Sequence, residues 1–179
     1  VIPRNMYRYG ANWTGVDLEE NQIKEARRLA AENRMDICFL VAPAEETGLP
    51  DGCYDFITAA QCFWYFDRER IFKEIHRLLK PAGRFLLLTM GWLPFESEIA
   101  METEKLVLRH NPHWTGAGMT RCEPQPPLES GELFCCVDAV GYVIDVPFTR
   151  ESWHGRIIAC RGVGASSLPT EEIEAFKRE

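Results

Sequence analysis

The sequence predicts an α/β fold: an open, mostly parallel sheet with helices on both faces, in a three-layer sandwich. Short apolar stretches alternate along the chain with stretches of helical periodicity. The repeated order of strand, helix and strand favours parallel neighbours joined by helices. The stretch 84–90 is apolar almost throughout, which is typical of a strand covered on both faces.

Each element follows from a local pattern. Residues 1–10 predict a helix that ends at Gly10, and Asp67 and Thr149 are N-cap residues for later helices. Alternating apolar residues over 133–146 predict a hairpin or two short strands. The remaining elements are strands at 13–18, 36–42, 54–60 and 84–90, and helices at 19–31, 68–80, 95–109, from 149, and from 169 onward.

Composition limits the possible functions. The net charge of -7 and the pI of about 5.2 disfavour a nucleic-acid or anionic-membrane surface, and no apolar run approaches the roughly 20 residues of a spanning helix. The seven cysteines form no CxxC pair and the four histidines show no metal-ligand spacing. We therefore expect buried packing thiols, no bound metal and a cytoplasmic location.

Asp17 follows the first strand and precedes an amphipathic helix. A carboxylate at this end of a parallel strand lies in the crevice where such sheets bind ligands, and its two oxygens suit both hydroxyls of a ribose. Capping of the following helix is an equal alternative for Asp17. The aromatic run 63–66 follows the third strand. At this place aromatic side chains either form the wall of a ligand site or pack in the core, and both interpretations remain.

Several short motifs follow one another along the first half of the chain: Gly15-Val16-Asp17-Leu18, Ala44-Glu45, Leu49-Pro50-Asp51-Gly52, Thr58-Ala59-Ala60-Gln61 and Leu78-Leu79-Lys80-Pro81-Ala82-Gly83. Their order resembles class I S-adenosylmethionine-dependent methyltransferases of the small-molecule type. The resemblance covers roughly residues 1–95 and gives the fold as Rossmann-like. Two features depart from the family: no glycine-rich loop is present, and Pro43 stands where the family has an acid.

This resemblance implies S-adenosyl-L-methionine as the cofactor. Asp17 would bind the ribose, Leu18 would pack on adenine, and the Ala44 N–H would donate to an adenine nitrogen. The other implied cofactor contacts are Glu45, beside the adenine, Ala60 and Gln61, near the methionine end, and Gln22. No residue is assigned to catalysis, because methyl transfer requires a base only when the acceptor must lose a proton.

The resemblance also divides the chain into a donor-binding core, 1–94, and an acceptor cap, 95–179. We expect a small-molecule acceptor between the aromatic run and residues 111–118, with Trp64, Tyr65, Trp114 and Arg156 as its contacts. The family's first strand and its glycine loop would precede Val1, and its closing strand would follow Glu179, so we expect a sheet that is incomplete at both ends.

Two rivals from other classes remain. An NAD(P)-dependent oxidoreductase also binds ribose through a strand-end acid, although no Tyr-x-x-x-Lys pair occurs in the chain. A non-catalytic methyltransferase-like binding domain would retain the fold without the chemistry.

Overall fold

The structure is a computed structural model that describes residues 1–121, 125 and 127–179. Cys122 and residues 123, 124 and 126 lie outside the described residues. The helices are α1 (Ile2–Met6), α2 (Glu20–Glu32), α3 (Arg68–Leu78), α4 (Glu98–His110), α5 (Arg150–Ile158) and α6 (Thr170–Arg178); the strands are β1 (Thr14–Asp17), β2 (Cys38–Val41), β3 (Tyr54–Ala60) and β4 (Leu79–Leu88). Short 3-10 helices occur at Tyr7–Tyr9, Phe63–Tyr65, Pro94–Glu96 and Leu128–Leu133.

The chain divides into two compact units. The first comprises Val1–Met90 with Pro126–Val137, and the second comprises Gly91–Gln125 with Asp138–Glu179, as far as these residues are described. The first unit contains all four strands, and the second contains α4, α5 and α6. Phe134 packs against the core of the first unit, which accounts for the return of the chain to that unit. The division at residue 94 into a donor-binding core and an acceptor cap stays a prediction.

The strands of the first unit form two parallel pairs, β1 with β2 and β3 with β4. The α/β class with parallel strands is confirmed. Among the described strands, β1 and β3 share no backbone hydrogen bonds. Tyr54 nevertheless donates from its hydroxyl to Thr14 Oγ1 at 3.2 Å, which joins the starts of β3 and β1.

Aliphatic and aromatic side chains of α3 form the core beneath β3 and β4. The apolar side chains of this helix share one face, where Ile71, Phe72, Ile75 and Leu78 are all buried. Phe63 joins them, with its ring centroid 5.3 Å from that of Phe72. This packing fixes α3 against the sheet and therefore fixes the loop between β3 and α3.

The turn from α3 into β4 is shorter than expected. The helix ends at Leu78, not at Lys80, and β4 begins at once, with an irregularity in its register before Arg84. Ala82 has φ 63°, and a Cβ on Gly83 would lie 2.9 Å from the Lys80 carbonyl oxygen. A helix cannot continue through these conformations.

Helices α4, α5 and α6 enclose the core of the second unit. Val107, Ile157, Val163 and Phe176 form its buried centre. Thr149 caps α5 through a reciprocal capping box with Ser152, which confirms the predicted helix start.

The expected strands over 133–146 are wrong. Residues 134–148 form no regular element, and after Phe134 their large apolar side chains are exposed. Alternation alone does not make a strand when no neighbouring strand supplies the backbone partners. The exposed residues are Val137, Val140, Tyr142, Val143, Ile144, Val146 and Phe148.

The expectation of buried cysteines is also wrong for most positions. Cys38, Cys53, Cys135 and Cys136 are exposed, and Cys62 and Cys160 are half-buried. Within the described ranges, no helix combines the length and apolar character of a membrane span. The same residues contain no cluster of three or more His, Cys, Asp or Glu side chains that could hold a metal ion.

Candidate functional site

Asp17 ends β1 and is exposed at the carboxyl end of the strand. Its Oδ1 accepts a hydrogen bond from the Glu19 N–H at 2.9 Å, so the side chain does support the start of α2. Its Oδ2 accepts no hydrogen bond from the described part of the chain. Leu18 follows with 66% of its surface exposed. One carboxylate oxygen and an apolar side chain are thus available to a ligand at this strand end.

Residues after β2 lie beside this carboxylate. Asp17 is the register partner of Val41, the last residue of β2, and the Ala42 N–H donates to the Asp17 carbonyl oxygen at 3.1 Å. Ala44 then packs against the core of the first unit. Its own N–H donates to no acceptor among the described residues. An unsatisfied backbone donor here suits a ligand acceptor atom.

The Glu45 side chain is not a freely solvated charge. Its Oε1 accepts from the Asp67 N–H at 2.9 Å, at the N-cap of α3, and its Oε2 remains available for another donor. Asp67 itself caps the helix by accepting from the Arg70 N–H. The segment after β2 is therefore joined to the segment after β3 through Glu45.

The loop between β2 and β3 is fixed by a buried carboxylate on α3. Glu74 Oε1 accepts from the Thr47 N–H at 2.9 Å and from its hydroxyl at 2.6 Å. Arg77 pairs with Glu74 and donates to the Leu49 carbonyl oxygen at 2.7 Å. These bonds lower the pKa of Glu74 to about 2, with Arg77 as the main cause and Thr47 as the next.

Gln61 adopts a strained backbone directly after β3. Its φ is 59°, in the left-handed region that glutamine rarely enters. Its N–H donates to the Leu88 carbonyl oxygen at 3.1 Å, and its side-chain amide donates to the Met90 carbonyl oxygen. The side-chain oxygen Oε1 is buried and has no hydrogen-bond partner among the residues that the structure describes. Strain and an unsatisfied buried acceptor at one residue are typical of a ligand site.

Cys62, two residues after β3, relates this strand end to the end of β1. Burial raises the pKa of the Cys62 thiol, and the negative charge of Asp17 adds to the rise, so the two side chains lie within electrostatic range. At the starts of the same two strands, the Tyr54 hydroxyl bonds to Thr14 Oγ1. The structure therefore places the regions of Asp17 and Gln61 near each other, with Ala44 after the neighbouring strand β2.

The aromatic run divides into core and surface. Phe63 is buried, and the Arg68 guanidinium lies 4.6 Å from its ring centroid. Trp64 and Tyr65 are 47% and 46% exposed and meet edge to face, with centroids 5.6 Å apart. Phe63 is therefore a core residue, whereas the surfaces of Trp64 and Tyr65 are available to a ligand.

The other two expected acceptor residues belong to the second unit. Trp114 is part of its core, and a Cβ on Gly116 would lie 2.6 Å from the Trp114 ring nitrogen. Arg156 lies over the ring of Trp92, with its guanidinium carbon 5.6 Å from the ring centroid. Gln22, an expected cofactor contact in the first unit, is exposed on α2.

Sequence reasoning missed the residues that hold this edge together. Thr47 looked like one polar residue in a turn-rich loop. The i, i+3 spacing of Glu74 and Arg77 was a usable signal, because it places opposite charges on one helical face. No sequence pattern indicated the left-handed backbone of Gln61, since the position lacks a glycine.

Comparison with known proteins gives a family match for the first unit. Residues 2–87 match the family described as "Methyltransferase domain". They contain β1, β2, β3, α2 and α3 with the three converging strand ends.

Methyltransferases are also among the individual proteins that match the chain. Demethylmenaquinone methyltransferase from Thermus thermophilus is 36% identical over 80 residues, which is 44% of this chain and 36% of the relative. Ubiquinone biosynthesis O-methyltransferase from Xanthomonas oryzae pv. oryzae is 26% identical over 117 residues, which is 64% of this chain and 49% of the relative.

A solved structure of geranyl diphosphate C-methyltransferase from Streptomyces coelicolor A3(2), in complex with Mg²⁺, geranyl diphosphate and S-adenosyl-L-homocysteine, matches with 25% identity and a TM-score of 0.47, covering 58% of this chain and 41% of that chain. The chain thus spans less than half of the length of each of these relatives.

Proposed function

We propose that this chain carries the methyl-donor site of an S-adenosylmethionine-dependent methyltransferase that acts on a small-molecule acceptor. One observation carries the proposal: unsatisfied polar groups converge at the carboxyl ends of β1, β2 and β3. They are Asp17 Oδ2, the Ala44 N–H and the buried Gln61 Oε1. Parallel sheets bind nucleotide-like ligands at this edge.

The adenosine half of the donor fits the residues after β1 and β2. Asp17 Oδ2 would accept from the ribose hydroxyls while Oδ1 retains the Glu19 N–H. Leu18 offers an exposed apolar surface to the adenine ring. The Ala44 N–H would donate to an adenine nitrogen, and Glu45 Oε2 would accept from the adenine amino group.

The methionine half fits the residues after β3. Ala60 and Gln61 would line it, and the Gln61 side-chain oxygen would accept from the donor's ammonium group. This assignment satisfies the buried oxygen that otherwise lacks a partner. Gln22, exposed near the start of α2, remains a candidate cofactor contact.

Bound S-adenosylmethionine supplies a methyl group already activated on a sulfonium. The contribution of the chain is to hold its own strand-end groups in place, so that the reacting atoms are oriented before reaction. We assign no catalytic residue, because a base is needed only for an acceptor that must lose a proton. Trp64 and Tyr65, exposed beside Gln61, are candidate acceptor contacts.

A small-molecule acceptor is supported by the relatives, whose names refer to menaquinone and ubiquinone biosynthesis and to geranyl diphosphate. The acidic chain supports it as well, since a net charge of -7 repels nucleic acid. A cytoplasmic location remains a prediction.

Isothermal titration calorimetry tests the donor site. The chain is titrated with S-adenosylmethionine, with S-adenosylhomocysteine, and with NAD⁺ and NADP⁺ as the ligands of the rival oxidoreductase. We expect saturable binding of the first two ligands and no heat from the nicotinamide cofactors. Saturable binding of NAD⁺ or NADP⁺ without binding of either methionine derivative would reject the proposal.

A further inference from the structure

The second unit contains an open pocket that the donor site does not use. Its volume is about 440 Å³, and it is lined by Trp92, Arg156, Ala159 and Cys160. Three of these residues present apolar or weakly polar surface, and the fourth is a cation. The volume falls in the range of small-ligand sites.

Arg156 has no acidic partner within the described residues. Two other arginines of the second unit do: Arg109 pairs with Glu179, and Arg121 pairs with Glu96. The guanidinium of Arg156 is half-buried over the Trp92 ring instead, 5.6 Å from its centroid. Such stacking holds the planar group while its N–H donors remain available to an anion.

The ring of Trp92 is itself fixed in place. Its Nε1–H donates to Glu104 Oε1 at 2.5 Å, and the Gly118 N–H donates to Glu104 Oε2 at 2.8 Å. Glu104 is buried, so these bonds are shielded from water. Trp153 and Trp114 flank the ring, with centroids 5.6 and 6.4 Å away. Because these contacts hold the Trp92 ring in one orientation, the ring is pre-organised to bind a ligand.

We propose that this pocket binds a small molecule with a planar apolar body and one carboxylate. The carboxylate would accept two hydrogen bonds from Arg156, and the body would lie against Trp92, Ala159 and Cys160. This binding chemistry does not depend on the methyltransferase function proposed above.

A carboxylate is favoured over a phosphate for reasons of charge. The lining contains a single cation and no lysine. One guanidinium matches the charge and the fork geometry of one carboxylate, whereas phosphate dianions call for further donors. The chain is acidic overall, which further disfavours a dianion.

Nuclear magnetic resonance on the intact chain tests the pocket without any methyl donor. Benzoate is titrated while the indole N–H resonance of Trp92, assigned with Trp92→Phe, is followed; benzamide and inorganic phosphate are titrated in parallel. We expect saturable shifts of the Trp92 resonance with benzoate only. Arg156→Gln should weaken benzoate binding about tenfold or more, since a charge-assisted pair is lost.

Two further variants are controls for the charge and for the shape of the Arg156 side chain. Arg150→Gln removes the same charge from an exposed position on the same helix and should leave benzoate binding unchanged. Arg156→Lys keeps the charge without the fork and should bind more weakly than wild type but better than Arg156→Gln.

Three results would each overturn the inference: no benzoate shift, equal binding of benzamide or phosphate, or unchanged binding in Arg156→Gln. Donor calorimetry on the same samples separates the two proposals. Donor binding without benzoate binding rejects the pocket alone, and benzoate binding without donor binding rejects the methyltransferase function alone.

Discussion

Arg77 donates two hydrogen bonds to the Glu74 carboxylate, one to each oxygen, at 2.8 and 2.7 Å. The same carboxylate holds the backbone and the hydroxyl of Thr47, so this one pair connects α3 to the loop between β2 and β3. That loop carries Ala44 and Glu45. The geometry of the proposed adenine contacts therefore depends on an ion pair that does not itself touch the donor.

The first prediction concerns acid stability. Glu74 has a folded-state pKa of about 2 against its ordinary 4.5, because of Arg77 first and Thr47 second. A carboxyl group whose pKa is lower in the folded state stabilises the fold at pH values above its unfolded-state pKa. This contribution disappears as the pH falls from about 5 to 2. At pH 7 this contribution of Glu74 to the free energy of unfolding is as much as about 3 kcal/mol.

Urea unfolding at pH 7 and pH 3 of wild type and Glu74→Gln measures this contribution. The variant should be less stable at pH 7, and the difference should shrink at pH 3. Glu69→Gln, an exposed position of the same helix, is the matched control and should follow the wild type. An equal difference at both pH values would contradict the role of Glu74.

The second prediction separates the two roles of Asp17. Asp17→Ala removes the helix-start acceptor for Glu19 and also the oxygen assigned to the ribose. We expect donor affinity to fall by about 1–3 kcal/mol, the cost of leaving hydrogen-bonding groups unsatisfied. Ser97→Ala provides the control, because it removes the cap of α4 in the second unit.

Calorimetry with S-adenosylhomocysteine and thermal melting of both variants decide the question. Both variants should melt earlier than wild type, but only Asp17→Ala should bind the ligand more weakly. If Asp17→Ala lost stability and kept its affinity, Asp17 would be a helix cap and nothing more.

Some of this site was predictable because it depends on local pattern. A short apolar strand, one acid and an amphipathic helix are adjacent in sequence, so the position of Asp17 at a strand end follows from periodicity. The aromatic run 63–66 was located by its place after β3. Which of its members face solvent depends on how α3 packs, and no local pattern contains that information.

Other features depend on contacts between distant residues. The apolar alternation over 133–146 resembles a strand, but a strand needs a neighbour to accept its hydrogen bonds, and the sequence does not show whether one exists. Arg156 and Trp92 are 64 positions apart, and their stacking appears only when α5 packs in the second unit. The left-handed backbone of Gln61 likewise arises from the packing around the end of β3.

The third prediction concerns two tryptophans that the sequence treated alike. Trp64 is 47% exposed in the first unit, whereas Trp114 is partly buried and packs against the core of the second. Trp114→Ala should destabilise the chain by about 3 kcal/mol or more, as core truncations of large aromatic residues do. Trp64→Ala should change stability little, lower turnover and leave donor binding intact.

Urea unfolding of the two variants, with Trp64→Phe as the conservative control, tests this difference. A stability loss in Trp64→Ala as large as that in Trp114→Ala would show that Trp64 is a core residue. If Trp64→Ala lost donor binding and Trp64→Phe kept it, Trp64 would be a contact of the methyl donor and not of the acceptor.

The last prediction uses the strained residue after β3. Gln61 has φ 59° and Ala82 has φ 63°, and glycine adopts such angles without the cost of roughly 1–2 kcal/mol that a side chain incurs. Ala82→Gly relieves the strain in an exposed turn. Gln61→Gly relieves it too and removes the unsatisfied Oε1, but it also loses the bond to the Met90 carbonyl oxygen.

Because the losses and gains at residue 61 nearly offset each other, Gln61→Gly should unfold at a urea concentration close to that of wild type. Its affinity for S-adenosylhomocysteine should nevertheless fall about tenfold, since the proposed acceptor for the ligand's ammonium group is gone. Ala82→Gly should keep full affinity, which controls for added backbone freedom. Undiminished affinity in Gln61→Gly would remove Gln61 from the donor site and leave its strain without a functional role.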